Sequence, residues 1–520
     1  MALDFRQLKE RLKPRFHNDF EKYYPVESLE EMCYERRVCR KCGKGFWSII
    51  DREVCDEPEC SGGYRFIGEK LTKRLFSYRE AWEEYVKVFS EWDYVPIDRY
   101  PVVCRWYEDL YFVSAGINMF QPYVVAGEVD PPAPAVLEPQ FCLRFPDIDN
   151  VGVTGRHYTG FIMVGQHTFN TPKYDSYFKE EGIQQMHEFL TQGLGIDPEE
   201  IVYHEDVWAG GGNFGPSMEF FSRGLELGNQ VYMQYKVLPD GSTRELDTKV
   251  IDMGAGLERW SWYSQGAGTS YETVFPKVLE YIYGETGFRP DKEFLEGFGR
   301  YAGLFTFDEN PDSSKTYRDV AKELALDVDA LRDKINRQRA VYSIAEHTRT
   351  LLVAIHDGAL PSNVGGGYNL RMLLRRVFDF IDEYRLELDV HEVFNRHVKE
   401  FGSWFTELRE TGSLHDIIDV EYDRYLETRR KASKIAESIN ASGRRISASE
   451  LVELYDSQGV RPDMVSEMVD GGVPDNFYAL VDEKHQQTRL EPVDEEIEVP
   501  DGLGETYLGY YDEPEKTCFK

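Results

Sequence analysis

The sequence has no long uninterrupted apolar run. Its longest stretch without a charged residue, residues 110–127, is broken by Gly116, Asn118, Gln121 and Pro122, whereas a membrane-spanning helix needs about 20 mostly apolar residues. The N-terminal residues do not have the pattern of a secretory signal peptide. We therefore predict a soluble, cytoplasmic protein without membrane contact.

Positive charge is also scarce, because 60 Lys and Arg residues face 93 Asp and Glu residues, giving a net charge of −33. Such a surface repels nucleic acid unless local basic patches offset it or salt screens it; the Debye length is about 3 Å near 1 M salt. The most basic stretches are residues 371–376 and 429–434, and a solvated helix face is at least as good an interpretation of the second. The sequence also lacks a Gly-x4-Gly-Lys-Ser/Thr loop, which disfavours ordinary NTPases.

Cysteines number only eight, and four of them cluster near the N-terminus. Cys39, Cys42, Cys55 and Cys60 form a Cys-x2-Cys, x12, Cys-x4-Cys pattern, which is typical of a four-thiolate zinc site. A disulfide framework is the alternative, and it would suit a secreted protein. Cys33, six residues earlier, could replace one of these ligands. We predict that the four clustered cysteines bind a metal.

One stretch combines Asp252, two glycines at Gly254 and Gly256, and Arg259 at the start of a predicted helix. Glycines let the backbone approach a ligand closely, and a helix start offers unpaired N–H groups to a phosphate. An arginine adds a planar fork for phosphate or a flat cation for a purine. The stretch predicts a glycine-rich turn that binds a nucleotide, with a tight packing turn as the alternative.

Further upstream, two apolar stretches flank a polar loop. Residues 141–143 end at Arg144, the loop carries Asp147 and Asp149, and residues 161–164 are mostly apolar again. This pattern predicts a hairpin of two antiparallel strands with a long connection.

The order of strand, loop and strand, followed later by a strand and a helix with Gly-Leu-Glu-Arg, resembles motifs 2 and 3 of class II aminoacyl-tRNA synthetases. Nearly the whole chain is similar to the alanyl-tRNA synthetases of archaeal type, on segments at residues 112–120, 149–157, 231–235, 252–260 and 361–368. The His-Ile-Gly-His and Lys-Met-Ser-Lys-Ser signatures of the other synthetase class are absent.

The resemblance implies an α+β fold, in which a class II antiparallel β-sheet catalytic domain with flanking helices precedes a mostly helical domain. Within the chain, Ser77 and Glu80 predict a capped helix, and apolar residues at helical spacing predict helices beyond about residue 290. The expected domains are an N-terminal extension with the cysteine knuckle (1–65), the catalytic domain (66–290), a helical tRNA-recognition domain (291–475) and a linker toward an absent editing domain (476–520).

For ATP, the resemblance implies charge neutralisation at phosphorus rather than acid–base chemistry. Arg144 would bind the α-phosphate, with a salt bridge to Asp147 or Asp149 as the alternative. Arg259 would contact the γ-phosphate or cover the adenine, with Phe161 on the other face. The implied ATP site comprises Arg144, Arg156, Phe161, Met163, Gly256 and Arg259. The implied catalytic residues are Arg144, Arg259 and Asp252.

For the amino acid, the resemblance implies that Asp252 pairs with the α-ammonium of L-alanine, whereas a helix cap is the alternative role. Trp208 matches a pocket tryptophan, Val231 would line the methyl site, and Gly254 completes the alanine site. One methylene is worth only about 1–3 kcal/mol in such a pocket. Confusion with glycine and serine is therefore expected.

Two metals follow from the resemblance: Mg²⁺ bound with ATP and a structural Zn²⁺ at the four cysteines. Ile162 stands where the bacterial pattern has an acidic residue, so we assign no Mg²⁺ ligand.

The resemblance also implies that an acceptor-stem G·U pair of tRNA(Ala) is read by Asn363 and Asp456, since an amide and a carboxylate suit base-edge groups. Arg371 and Arg375 would add to the tRNA site. For Asn363, a simple turn role is the alternative.

The implied function is ATP-dependent activation of L-alanine and its transfer to the 3′ end of tRNA(Ala). A class II paralogue that activates another small amino acid without charging tRNA is the main alternative, and a noncatalytic tRNA-binding relative is weaker. We further expect a fragment of a longer protein that forms a dimer through a C-terminal region absent here.

Overall fold

A computed structural model describes residues 5–107, 110–238, 242–305, 307 and 313–487. Within this described part, no helix combines the length and the apolar character needed to cross a membrane. The predicted linker at 476–520 is wrong at its start, because residues Phe477–Gln487 form a helix whose Phe477 and Val481 side chains are buried. The rest of that prediction, residues 488–520, lies outside the described residues.

A sheet of nine strands forms the centre of the fold, in the order β1-β2-β6-β7-β8-β9-β5-β4-β3. All neighbouring strands are antiparallel except β3 and β4, which are parallel. This sheet confirms the predicted α+β fold. The strands are β1 (Glu35–Val38), β2 (Gly45–Ser48), β3 (Val95–Pro96), β4 (Ala135–Leu143), β5 (Gly160–Asn170), β6 (Ile201–Gly210), β7 (Asn213–Ser222), β8 (Leu225–Val237) and β9 (Thr243–Gly256).

Helices flank the sheet and then dominate the second half of the chain, as predicted. The helices before residue 290 are α1 (Phe5–Asn18), α2 (Phe20–Tyr23), α3 (Val26–Glu31), α4 (Pro58–Ser61), α5 (Tyr78–Phe89), α6 (Tyr123–Ala126), α7 (Lys179–Glu188), α8 (Leu257–Gln265), α9 (Ser270–Val274) and α10 (Pro276–Thr286). The later helices are α11 (Lys292–Ala302), α12 (Ser314–Glu323), α13 (Val328–His356), α14 (Gly365–Glu383), α15 (Val390–Phe401), α16 (Leu414–Ser442), α17 (Ala448–Gln458), α18 (Pro462–Val465) and α19 (Phe477–Gln487).

Local sequence signals explain where several elements begin and end. The hydroxyl of Ser77 accepts a hydrogen bond from the Glu80 N–H, and the Ser77 N–H donates one to the Glu80 carboxylate, so the predicted capping box starts α5. The predicted hairpin is β4 and β5, with Leu143 opposite Gly160. Helix α13 ends just before Gly358, whose φ of 96° an L side chain rarely adopts.

The predicted glycine-rich turn is wrong, because Gly254 and Gly256 belong to β9. Strand β9 continues to Gly256, and α8 starts at the next residue without a side-chain cap. Gly254 is needed for a different reason: a Cβ there would lie 2.9 Å from the Met163 Sδ on the neighbouring strand β5. The glycine therefore makes room for a side chain rather than for a turn.

The N-terminal extension is continuous with the catalytic sheet. Strand β2 pairs with β6, with Phe46 opposite His204. The Arg36 guanidinium donates two hydrogen bonds to the Glu205 carboxylate, at 2.6 and 2.8 Å, and the Trp47 indole donates a third at 3.0 Å. Residues before the expected boundary at 65 therefore pack as part of the same sheet.

A buried carboxylate, Glu258 on α8, joins four parts of the molecule. One of its oxygens accepts hydrogen bonds from the Tyr78 hydroxyl of α5 at 2.9 Å, the Ile162 N–H of β5 at 3.1 Å and the Arg349 guanidinium of α13 at 3.1 Å. Arg349 also donates to the Gly160 carbonyl at 2.6 Å. Glu258 and Arg349 are each 1% exposed. They therefore form a buried ion pair between the sheet and the helical region.

A second carboxylate, Glu346 on α13, contacts the same strand, β5. Glu346 accepts hydrogen bonds from the N–H groups of Thr159 and Gly160, at 2.7 and 2.8 Å. The start of β5 is therefore fixed by Glu346 on its N–H groups and by Arg349 on its carbonyl.

We predict that Arg349→Met lowers the free energy of unfolding by about 3–5 kcal/mol, because it leaves the Glu258 carboxylate buried and uncompensated. Urea unfolding followed by circular dichroism measures this change. Arg337→Met on the same helix is the matched control: its ion pair with Asp333 is exposed, and such pairs contribute about 0–1 kcal/mol. Equal losses in the two variants would contradict the importance of the buried pair.

Candidate active site

The structure brings the predicted nucleotide residues into one cleft on the central strands. Arg144 follows β4, Phe161 and Met163 lie on β5, and Arg259 lies in the first turn of α8. All of these face the same space. The cleft is lined by Arg144, Asp147, Arg156, His157, Tyr158, Phe161, Met163, Glu226, Gly228, Gly254, Gly256, Glu258 and Arg259.

Strand alternation explains why Phe161 and Met163 reach the cleft and why Ile162 does not. Successive side chains on a strand point to opposite faces, and Ile162 is fully buried in the main core. An acidic side chain at position 162 would therefore point away from the cleft. The cleft offers carboxylates from Asp147, Glu226 and Glu258 instead.

Three guanidinium groups converge on the cleft. The pKa of His157 lies well below its ordinary value because the ring is buried and because Arg156, Arg259 and Arg144 oppose a further positive charge. Arg259 donates to the Glu226 carboxylate at 2.7 Å. The cleft thus brings three guanidinium groups together beside three carboxylates, and guanidinium groups are suited to bind a polyphosphate.

Arg144 contacts Phe161 and Ser114. Its guanidinium lies over the Phe161 ring, 5.2 Å from the ring centroid, and its Nε donates to the Ser114 carbonyl at 3.0 Å. Phe161 and Arg259 both line the cleft, and Arg259 pairs with Glu226. Asp149, the suggested partner of Arg144, pairs with Arg339 of the helical region at 2.9 Å.

A second group of predicted residues lies deeper on the same sheet face. His167, Asp252 and Val231 stand directly opposite one another on β5, β9 and β8, so their side chains share one face. Val231 belongs to a small apolar cluster against which Trp208 and Met163 pack. Because Met163 also lines the cleft, this group of residues lies next to the cleft.

The role of Asp252 as a helix cap is excluded by its position. It lies in the middle of β9, four residues before that strand ends, and it is 6% exposed. Burial raises the pKa of its carboxyl, and the nearby His167 ring counters that rise. Asp252 is therefore a buried carboxylate within the sheet, beside the His167 ring.

Sequence reasoning missed two buried partners of Asp252. His167 Nδ1 lies 3.4 Å from Asp252 Oδ1, and His167 Nε2 lies 3.3 Å from the Glu138 carboxylate. Glu138 and His167 are both completely buried. Polar residues at inward-facing positions of β4 and β5 could have indicated these two residues, because charged side chains are rarely buried without a partner.

The four predicted cysteines come together at the edge of the sheet. The sulfur atoms of Cys39, Cys42, Cys55 and Cys60 all lie within 4.8 Å of one another, and Cys42 Sγ is 3.7 Å from Cys55 Sγ. All four thiols are free, so the disulfide alternative is wrong in this structure. Cys33 lies outside the cluster.

The knuckle favours the thiolate at Cys39, whereas burial raises the pKa of the Cys55 and Cys60 thiols. Burial opposes ionisation of Cys39, but backbone N–H groups of Cys42, Cys55 and Lys41 outweigh it and lower the pKa of that thiol to about 6. The turn depends on Gly43, with a φ of 76°. Lys44 then donates to Glu57 and to Glu219, each at 3.1 Å, which ties the knuckle to β7.

The predicted tRNA residues meet at the start of α14. Asn363 is exposed in the preceding loop, and its side-chain oxygen accepts a hydrogen bond from Arg371. Asp456 of α17 accepts one from the Tyr368 hydroxyl at 2.9 Å. Because Tyr368 and Arg371 are three residues apart on α14, this helix supports both predicted base-reading groups.

The basic stretch on α14 is mostly internal, which corrects its interpretation as a basic patch. Arg371 is 8% exposed and donates two hydrogen bonds to the Glu421 carboxylate, at 2.7 and 2.8 Å. Arg376 is completely buried, and Arg375 is partly exposed. Arg371 therefore fixes the loop of Asn363, and Arg375 is the member of the stretch that retains accessible surface.

Comparisons with known proteins identify the family of the chain. Residues 80–495 match the family model of class II (A) tRNA synthetases. An alanine–tRNA ligase of Methanocella arvoryzae is 59% identical over 519 residues, which cover 100% of this chain and 59% of that protein. Those of Nitrosopumilus maritimus and Cenarchaeum symbiosum are 38% and 39% identical, over 97% and 92% of this chain and 57% and 53% of their own lengths. The chain thus spans less than two thirds of these relatives.

Proposed function

Since the chain belongs to the class II (A) family of tRNA synthetases, we propose that it activates L-alanine with ATP and transfers it to the 3′ end of tRNA(Ala). The observation that carries the proposal is the adjacency of two sites on one sheet face. A cleft with three arginines and Phe161 suits ATP. The residues beside it, Asp252, Val231 and Trp208, combine a carboxylate with apolar side chains and suit a small amino acid; we call them the alanine pocket. The relatives named above carry the same activity in their names.

In the proposed reaction, an alanine carboxylate oxygen attacks the α-phosphorus of ATP, and pyrophosphate leaves. The nucleophile is already ionised, so the site contributes positioning and charge neutralisation rather than proton transfer. Arg144, Arg156 and Arg259 oppose the charge that builds up on the phosphates, and Phe161 offers a ring face to the adenine. Mg²⁺ accompanies ATP and adds further positive charge. Glu258 Oε2, which is buried without a described hydrogen-bond partner, is an oxygen that the cleft could offer to it.

The pocket accounts for the proposed choice of substrate. The Asp252 carboxylate pairs with the α-ammonium, while Val231 and Trp208 bound the space for a methyl group. Gly210 leaves room for Trp208, because a Cβ there would lie 2.8 Å from the indole ring. Glycine and serine fit the same space, so discrimination by binding alone is limited to about 1–3 kcal/mol.

ATP–pyrophosphate exchange tests the proposal. We expect exchange to depend on alanine, with weaker exchange for serine and glycine, and we expect Arg144→Ala to abolish it because a charge at the α-phosphate is lost. Arg144 is exposed, so the variant should unfold at the same temperature as the parent chain.

Arg289→Ala is the matched control, since Arg289 is also exposed and lies over a tyrosine ring, 4.9 Å from its centroid, away from the cleft. It should exchange normally. Absence of alanine-dependent exchange in the parent chain would refute the proposed function, whereas normal exchange by Arg144→Ala would refute only the role of Arg144.

We further propose that the four cysteines bind one structural Zn²⁺. Four sulfur ligands at about 2.3 Å from a tetrahedral Zn²⁺ lie about 3.8 Å apart, which agrees with the 3.7 Å between Cys42 and Cys55. The low pKa of the Cys39 thiol, about 6, favours the ligating thiolate. The knuckle lies at the sheet edge, so the metal would stabilise the fold rather than take part in the reaction.

Metal analysis of the purified chain should find about one Zn²⁺ per chain. Cys39→Ser should lose the metal and unfold at a lower temperature, because metal binding adds to the folding free energy. Cys33→Ser, which changes an exposed cysteine outside the cluster, should retain both. Full zinc content in Cys39→Ser, or its loss in Cys33→Ser, would contradict the assigned ligands.

For tRNA, we propose that Asn363 and Asp456 read the acceptor-stem G·U pair and that α14 holds both in place. Their hydrogen bonds to Arg371 and Tyr368 pre-orient the two side chains. Arg375, partly exposed on the same helix, would contact the backbone phosphates. Charging of tRNA would place the protein in the cytoplasm.

We predict that Asn363→Ala lowers the rate of tRNA(Ala) charging by about tenfold, the loss expected for one base-edge contact, and leaves pyrophosphate exchange unchanged. Asn395→Ala on α15, another exposed asparagine, should alter neither rate. A tRNA with G·C in place of G·U should be charged equally slowly by the Asn363→Ala variant and the parent chain. A further loss with that tRNA in Asn363→Ala would show that Asn363 does not read this base pair.

A further inference from the structure

The pocket contains a row of three ionisable side chains, Glu138, His167 and Asp252, from the adjacent strands β4, β5 and β9. One imidazole stands between two carboxylates, with Nε2 3.3 Å from Glu138 and Nδ1 3.4 Å from Asp252. All three are at least nine-tenths buried. An imidazole in this position can neutralise one of the two carboxylates only when it is protonated.

Two glycines show that the row is built into the fold. A Cβ at Gly165 would lie 2.4 Å from His167 Nε2 and 2.8 Å from the Glu138 side chain. A Cβ at Gly116 would lie 2.7 Å from the Glu138 carboxylate and 3.0 Å from His167 Nε2. Any other residue at either position would displace the pair, so the backbone on both sides leaves space for it.

The polar side-chain atoms of Glu138 and His167 have no other hydrogen-bond partner among the described residues. Neither carboxylate oxygen of Glu138 and neither ring nitrogen of His167 makes a hydrogen bond of good geometry to a described residue. The neighbouring Phe120 ring, 5.1 Å from the imidazole centroid, offers no charge. The charged groups that act on His167 are therefore Glu138 and Asp252, whose effect outweighs burial and raises its pKa.

The summed charge of Glu138, His167 and Asp252 determines the charge of the ligand that the row can bind. With His167 protonated, the three groups sum to one negative charge, which matches a single ammonium ion. With His167 neutral or absent, two carboxylates face each other in a nonpolar interior, and such a pair takes up a proton. Burial already raises the pKa of both carboxyl groups, so loss of the cation would place a proton on the pair, shared between Glu138 and Asp252, and would lower the ionised fraction of Asp252.

We propose that His167 is a positioning residue for amino-acid activation: it stands as the cation between two buried carboxylates, keeps Asp252 ionised and orients it toward the substrate ammonium. Glu138, on the far side of the ring, holds the proton on His167. The inference rests on the proposed function for the identity of the substrate, since it assigns the ammonium group to Asp252. The charge state of His167 itself does not depend on that function.

The kinetic test compares His167→Gln, Glu138→Gln and the double variant by pyrophosphate exchange. His167→Gln should raise the KM for alanine about tenfold at neutral pH, the change expected if only about one tenth of Asp252 stays ionised there, and should leave the KM for ATP unchanged. The KM for alanine in this variant should fall as pH rises, because Asp252 then ionises.

The double variant separates charge from packing. Adding Glu138→Gln to His167→Gln removes the second carboxylate, so Asp252 can ionise alone and most of the lost alanine affinity should return. If His167 only fills space, the double variant will bind alanine no better than His167→Gln, and the proposal is wrong.

A second measurement needs no activity. In chains with ¹⁵N-labelled histidine, the resonances missing from His167→Gln identify His167, and we expect them to report a protonated ring at about pH 7 in the parent chain and a lower pKa in Glu138→Gln. A neutral ring at about pH 6 in the parent chain would overturn the proposal. If the parent chain shows no alanine-dependent exchange, the proposed function fails, and the NMR titration still decides the charge of the row.

Discussion

The hydrogen bonds of one buried carboxylate, Glu258, connect the parts of this molecule that the proposed reaction needs in fixed positions. Its oxygen binds α5 through Tyr78, β5 through the Ile162 N–H and α13 through Arg349. Glu258 sits beside Arg259 in the first turn of α8, so the same turn fixes the interior and supplies a cation to the cleft. A charge buried this deeply is stable only with all its partners present, which couples the helical region to the cleft.

The charged groups at the site are distributed differently from those of the chain as a whole. The chain carries a net charge of −33, yet three arginines converge on one cleft beside its three carboxylates, and Glu138 and Asp252 lie on the neighbouring strands. The phosphates of ATP are negative and can pair with the arginines. The ammonium group of an amino acid is positive and can pair with a carboxylate. Met163 lies between the cleft and the alanine pocket, so the arginines of the cleft are separated from the carboxylate of the pocket.

The resemblance to class II synthetases predicted the α+β fold, whereas spacing and periodicity along the chain predicted the β4–β5 hairpin, the α5 capping box and the grouping of cysteines. The predictions failed where contacts between residues distant in the chain determine the role of a side chain. Gly254 was predicted in a turn, but its lack of a side chain serves Met163 on another strand. The arginines of α14 were predicted as a basic patch, but Glu421, fifty residues away, neutralises Arg371 inside the structure. His167 was missed because its two partners come from two other strands.

The central claim is that the cleft and the pocket together form one site for amino-acid activation. The most direct test is a crystal structure of the chain with a nonhydrolysable alanyl-adenylate analogue, such as the sulfamoyl compound. The account predicts that the adenine lies on Phe161, that the group replacing the phosphate lies among Arg144, Arg156 and Arg259, and that the ammonium contacts Asp252. An analogue bound elsewhere, or one whose ammonium points away from Asp252 in this pocket, would contradict it.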